Sequence, residues 1–161
     1  MKILRSSLVV LFMLVMIGES YAQTCEKDKV THEEVMQLMK TFRDGYIKRD
    51  TSIINDFMTN FTDDIVYMGV ASHEFFKGLK RVRRLTLWDW KKWFDLRLPL
   101  DKLDVRIDNN VAWFAIRGTS GPWRNKKIYE IRLFGSMIKH NGKLLFKQIC
   151  FSYPAPLREI K

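Results

Sequence analysis

The stretch Lys126 to Tyr153 constrains the fold of this chain more than any other. Two apolar, aromatic-rich runs, Ile128 to Ile138 and Leu144 to Tyr153, flank His140-Asn141-Gly142. Asn-Gly is the strongest two-residue hairpin signal, because both residues tolerate the positive φ that a type I′ turn demands. The stretch is expected to form one long β-hairpin. Strands of this length twist and bend, and a bent sheet leaves a hollow that other elements must fill.

The sequence of 161 residues has 47% hydrophobic and 29% charged residues, a balance that suits one domain with a real core. The first residues read differently. Lys2 and Arg5 precede the apolar run Leu8 to Ile17, and Ser20-Tyr21-Ala22 offers small residues where a signal peptidase cuts. That run is too short to span a bilayer, so residues 1–22 are expected to be a secretory signal peptide and 23–161 the single domain. The lipoprotein alternative fails because Gln23-Thr24 precedes Cys25, where lipidation wants a small residue. No stable membrane span is expected after cleavage, and the protein is expected to be secreted or periplasmic.

The formal net charge is +10, of which the leader (Lys2, Arg5, Glu19) holds one, leaving +9. Such a charge favours acidic partners or anionic surfaces, or simply a solvated basic face. It does not establish nucleic-acid binding, and no nucleic-acid partner is expected of an exported protein. Export permits a disulfide between the two cysteines, Cys25 and Cys150, but a frayed tail and a mid-strand position leave that pairing open. There is no CxxC, HExxH or Cys/His cluster, so no metal and no cofactor is expected.

Taken in order, Thr31-His32-Glu33-Glu34 is a capping box. The helix it starts runs to about Lys48, with Val35, Leu38, Met39, Phe42 and Tyr46 as its apolar stripe. A short second helix holds Ile53, Ile54, Phe57 and Met58. Thr62-Asp63-Asp64 then turns into a strand from Ile65 to Val70. Ala71 to Gly78 reads as a loop carrying His73, Glu74, Phe75 and Phe76. Leu79 to Phe94 reads as a third helix, with Leu79, Val82, Thr86, Trp90 and Trp93 on one side and lysines and arginines on most of the rest. Strands follow over Leu103 to Ile107 and Val111 to Gly118, then a loop to Asn125 and the hairpin. Helices first and an antiparallel sheet second make the fold α+β.

This order carries local matches: Tyr46 to Asp50 at the first helix exit; Phe61-Thr62-Asp63-Asp64-Ile65-Val66-Tyr67-Met68-Gly69; Glu74-Phe75-Phe76-Lys77-Gly78; Asn110-Val111-Ala112-Trp113-Phe114; and Ser152-Tyr153-Pro154. Together they resemble the SnoaL-like branch of the nuclear transport factor 2-like superfamily, which includes ketosteroid isomerase. The resemblance implies a cone-shaped, curved antiparallel sheet wrapped over three N-terminal helices, with a mostly apolar pocket at the wide end. It does not imply one function. An isomerase of this kind uses a carboxylate base, with a tyrosine and a protonated aspartic acid as donors to the oxyanion, which is one of the standard examples of such tuning. Counting from the shared motifs puts the base at about Gly69 and the tyrosine at about Phe42. Neither can do that chemistry, and the third role has no matching position.

Other residues could serve as acid or base: Tyr46, one turn beyond Phe42, and His73 or Glu74 in the loop near the expected mouth. Each also has a plainer reading, core packing for Tyr46 and solvation for His73. By the two-residue period Gln148 and Cys150 share a face with Leu144 and Phe146, and neutral polar groups there suit orienting a ligand. SnoaL-like relatives often carry histidine at those places. The candidate ligand-binding set is Phe42, Tyr46, Tyr67, Trp90, Trp113, Arg117, Gln148 and Cys150. Arg117 would meet a carboxylate or pair with Glu130.

The first functional expectation is an exported domain that binds a small apolar or acidic molecule without robust catalysis. The second is a non-metal acid/base enzyme of isomerase, dehydratase or hydrolase type. The third is a homodimeric interaction module using Ile128 and Phe134 on the outer sheet face, with the basic third helix as a further docking surface.

Overall fold

The computed structural model describes residues 28–71, 73–122 and 127–154. The leader over 1–22, Cys25, Trp123 and the irregular tail beyond Pro154 lie outside the described residues.

Helix α1 spans His32–Lys48. Thr31 caps it in a full capping box: its hydroxyl accepts from Glu34 N–H, and Glu34 accepts from Thr31 N–H at 2.9 Å. Its stripe is the expected one, with Val35, Leu38, Met39, Phe42 and Tyr46 buried. A single 3₁₀ turn, Thr51–Ile53, leads into the short helix α2, Ile54–Met58. Strand β1 covers Phe61–Met68 and β2 covers Phe75–Lys77. Helix α3 is Leu79–Lys92. Strands β3 (Trp93–Arg97), β4 (Asp104–Asp108), β5 (Val111–Pro122), β6 (Tyr129–His140) and β7 (Lys143–Ser152) complete the chain.

The hairpin forms as the dipeptide requires. His140 pairs with Lys143, and Asn141 and Gly142 take φ of 52° and 76°. The sheet is curved and unclosed, in the order β2-β1-β7-β6-β5-β3, with β4 also on β5. It is mixed, not wholly antiparallel, because β1 and β7 run parallel. Those two strands are separated by most of the domain, so no hairpin turn forces them to oppose.

Four local readings need correction. Thr62-Asp63-Asp64 lies inside β1, not in a turn before it, and Asp64 pairs with Lys147 of β7. The loop after Gly69 contains β2, which pairs with β1 through Tyr67 and Phe76. The third helix stops at Lys92, and the chain turns into β3 to pair with the far end of β5. That pairing extends β5 to Pro122, through residues expected to be loop.

The hairpin also holds a bulge. Ser136 pairs with Gln148 but Met137 pairs with Phe146, so Lys147 is an extra residue on β7. A bulge reverses which residues face inward. Before it Leu144 and Phe146 are buried; after it Ile149 is.

The core sits between α1 and the inner sheet face. Phe42 is 1% exposed, with ring centroids 5.3 Å from Phe146 and 6.1 Å from Phe57, while Phe57 lies 5.3 Å from Phe61. Full burial of each such side chain contributes about 1.5–3 kcal/mol.

Candidate functional site

Helix α3 carries one acid among its fourteen residues, Asp89, and buries it. Val82, Leu85, Thr86, Asp89 and Trp90 form the inward stripe, so a carboxylate occupies an apolar-face position. Asp89 is 7% exposed. A buried carboxylate needs donors, and two arrive from other elements. Tyr46, in the last turns of α1, donates from its hydroxyl to Asp89 Oδ2 at 3.2 Å, and Tyr67 of β1 donates to the same oxygen at 3.3 Å. Oδ1 takes part in neither bond.

Burial pushes the Asp89 carboxyl up to about 7, the negative charge of Glu74 adds to the rise, and the two tyrosine bonds oppose it. Tyr46 and Tyr67 are both held well above the usual phenol value, first by burial and then by neighbouring charge, including that of Asp89. Near neutral pH the cluster therefore holds two protonated phenols and a carboxyl poised between its two states.

Glu74 completes the group. Its Oε2 accepts from Ala71 N–H at 3.0 Å, and its backbone carbonyl accepts from Gly69 N–H at 2.8 Å. A Cβ built on Gly69 would collide with the Glu74 carboxylate. The carboxylate of Glu74 thus occupies the place where a side chain at 69 would begin. The resemblance to the isomerase put a base at about Gly69. Glycine supplies none, but the space holds a carboxylate from five residues further on.

These groups line a cavity of about 50 Å3 that is partly open to solvent. Tyr46, Tyr67, Tyr153, Ser120, Glu74 and Asp89 give its polar atoms. Val70, Leu85, Leu96, Ile131 and Phe151 give its apolar wall. That volume is far below the 300 Å3 or more of a typical small-molecule site, so any ligand larger than a few atoms must project into solvent or move the wall.

Of the residues singled out from sequence, Tyr46, Tyr67 and Glu74 meet in this cavity. Phe42 and Trp90 are buried in the adjoining core and are not among the lining residues. Trp90 Nε1 is buried without a hydrogen-bond partner. Trp113 is 49% exposed on the outer sheet face, together with Phe134 at 42%. Gln148 and Cys150 pair opposite Ser136 and Phe134, so the bulge places them on that outer face, not beside Phe146. Cys150 forms no disulfide among the described residues, and burial pushes its thiol pKa up. Arg117 is exposed on the same side, in register with Arg132, and makes no ion pair with Glu130 among the described residues. His73 is exposed in a separate groove with Phe75, Arg81, Arg84 and Trp88.

Asp89 is the residue that sequence reasoning missed. The signal was present: it falls on the same three-to-four series as Val82, Thr86 and Trp90, where an acid is costly unless bonded. No group of three metal-ligating side chains occurs among the described residues.

The model of the SnoaL-like domain matches residues 35–156. No curated protein matches the sequence. Among solved structures, a nuclear transport factor 2-like protein of unknown function from Pseudomonas putida is 18% identical, with a TM-score of 0.67, over 83% of this chain and 94% of that one. A ketosteroid isomerase-like protein from Erwinia carotovora is 17% identical, with a TM-score of 0.60, over 79% of this chain and all of that one (100%). A provisional scytalone dehydratase from Novosphingobium aromaticivorans is 10% identical, with a TM-score of 0.63, over 76% and 83%. At these identities the likeness establishes the fold.

Proposed function

The chain belongs to the SnoaL-like domain family, and from that premise we propose that its cavity takes a small, neutral, largely apolar molecule on which Asp89 accepts and returns a proton. The observation that supports this reading is the Asp89 carboxyl, buried at the cavity wall and bonded by Tyr46 and Tyr67. A site built only to hold an apolar ligand gains nothing from a buried acid. A site that moves protons needs a group whose pKa lies near the working pH, and Asp89, at about 7, has one. Glu74 tunes it: the charge across the cavity favours the protonated form. The same two carboxylates disfavour an acidic ligand, since a third negative charge would face both.

The fold relatives named as isomerase-like and as a dehydratase make proton transfer beside a carbonyl the reaction class to test. On this reading Asp89 Oδ1, free of the tyrosine bonds, removes the proton, and the tyrosines hold the carboxylate in place. The leader expected over residues 1–22 supports a secreted or periplasmic setting as part of this proposal.

A panel of neutral cyclic ketones and enones, followed by proton NMR in D2O, reads α-hydrogen exchange directly. Exchange is expected to rise as pH passes about 7, and Asp89→Asn is expected to lower it by roughly 10²-fold or more. Saturable tryptophan quenching with no exchange, or exchange unchanged in Asp89→Asn, overturns the catalytic assignment. The first of those outcomes returns the protein to a binding role.

A further inference from the structure

The surface beside the cavity is unusual. Phe75 is 54% exposed, Trp88 48% and Val70 36%. Val70 lines the cavity, while Phe75 and Trp88 line an outer groove; Glu74 and Leu85 line both, so the groove adjoins the cavity. The outer face of α3 beside them is wholly basic. Lys80, Arg81, Arg84, Lys91 and Lys92 are exposed, and the one acid of the helix, Asp89, is turned inward. Arg81, Arg84 and Trp88 share a helix face, at spacings of three and four, and Arg81 and Arg84 form no ion pair among the described residues. Lys77 places its Nζ 5.5 Å from the centre of the Phe75 ring.

A merely solvated basic face does not need large aromatic side chains in water, and scattered surface aromatics do not come ringed by unpaired cations. Together they are what an anionic lipid surface recognises: tryptophan and phenylalanine settle at the headgroup boundary, and lysine and arginine meet the phosphates. We propose that the groove beside the cavity, formed by β2 and the outer face of α3, docks on an anionic membrane surface. An acidic protein partner fits less well. An acidic polypeptide would engage the same charges, but exposed Phe75, Trp88 and Val70 beside them favour a lipid boundary, which takes aromatic side chains without a matching pocket. Docking in this orientation would bring the adjoining cavity to the bilayer, from which an apolar ligand could enter it. The inference does not depend on proton transfer at Asp89.

The test is co-sedimentation of the protein, expressed from its full sequence so that the host processes the N-terminus, with two kinds of vesicle. One is neutral phosphatidylcholine and the other phosphatidylcholine with phosphatidylglycerol. The apolar run Leu8 to Ile17 with Lys2 and Arg5 would itself favour anionic vesicles if retained, so the deciding comparison is between the parent and variants that keep the same N-terminus. Binding is expected on the anionic vesicles and to be lost in high salt. Arg81→Glu/Arg84→Glu and Phe75→Ser/Trp88→Ser are each expected to lower it by about tenfold or more. These positions are exposed, so urea midpoints should stay near that of the parent, which separates lost docking from lost folding. Equal binding to both vesicles, or none to either, overturns the proposal. So does binding to poly-glutamate that equals vesicle binding and is indifferent to Phe75→Ser/Trp88→Ser, which assigns the face to an acidic polypeptide.

Discussion

The two ends of the cone are built from the same aromatic material and differ by a few oxygen atoms. At the closed end Phe42, Phe57, Phe61 and Phe146, all buried, pack with ring centroids 5.3–6.5 Å apart. One helical turn along α1 from Phe42, Tyr46 stands 4.8 Å from it, ring to ring. Beyond the β7 bulge, Phe151 packs 5.8 Å from Tyr67. The added hydroxyls of Tyr46 and Tyr67 meet on Asp89. The closed end is therefore a dry core whose stability comes from packing, and the wide end a core into which a titrating acid has been set. Adjacent turns of one helix can serve both purposes because each side chain needs only its local partners to be satisfied.

The largest expected effect tests whether the closed end stands alone. Phe42→Ala leaves a hole among five rings and is expected to cost about 3–5 kcal/mol in urea denaturation. Phe42→Leu, which keeps most of the volume, is expected to cost about 1.5 kcal/mol or less and so remains folded. In the leucine variant the carboxyl titration of Asp89 should stay near 7. A large displacement of that titration would show the two ends to be one coupled unit.

Next in size is the pH dependence of the wide end. Folding raises the Asp89 carboxyl from 3.8 to about 7. Between those values the folded chain holds a proton that the unfolded chain has released, so stability falls as pH rises through this window. It is fully present below 3.8, and the loss is complete above about 7. Three units correspond to on the order of 4 kcal/mol. Asp89→Asn imitates the protonated acid in shape and has no charge to bury. It should match the parent near pH 4 and exceed it at pH 8 by roughly 2–4 kcal/mol. Parallel stability curves for parent and variant across this range would remove the titrating acid from the account.

How far these ends were legible in the sequence follows from what kind of signal each residue carries. The turn at Asn141-Gly142, the Thr31 cap and the α1 stripe are local, each needing only its neighbours to be read. The bulge at Lys147 is not local. It is defined by the partner strand, and without it the two-residue period puts Gln148 and Cys150 inside, where Ile149 sits. Strand β3 was hidden for a similar reason: the apolar–basic rhythm of α3 runs on through Trp93, and only pairing with Gly121 and Pro122 converts it to a strand. Asp89 was hidden by its neighbours. Among so many lysines and arginines an aspartate reads as one more surface charge, and only Tyr46 and Tyr67, 43 and 22 residues away, reveal that it points inward.

The smallest expected effect has the opposite sign and belongs to the closed end. Glu34 joins the start of α1 to the hairpin through an ion pair with Lys139 at 2.7 Å. Lys139 also donates to the carbonyl of Lys29 at 3.0 Å. Partial burial raises the Glu34 carboxyl, but Lys139 and Thr31 outweigh it and hold the group below its ordinary 4.5. A depressed carboxylate stabilises the fold above its unfolded pKa and loses that contribution as pH falls, the reverse of Asp89. Glu34→Gln retains the capping geometry, since glutamine serves in a capping box, and removes only the charge. Lys139 is nearly buried and Glu34 is about a third exposed; water screens the pair from the glutamate side, and the glutamine carbonyl can still accept from Lys139, so the cost at pH 7 should be about 1 kcal/mol, read as a small shift in urea midpoint. As pH falls below 4.5 and on through the lowered pKa of the folded carboxyl, the variant and the parent should converge. A cost that persisted in acid would mean that Glu34 acts through its shape and not through its charge. The closed end would then lack the polar tie whose pH dependence sets it against the wide one.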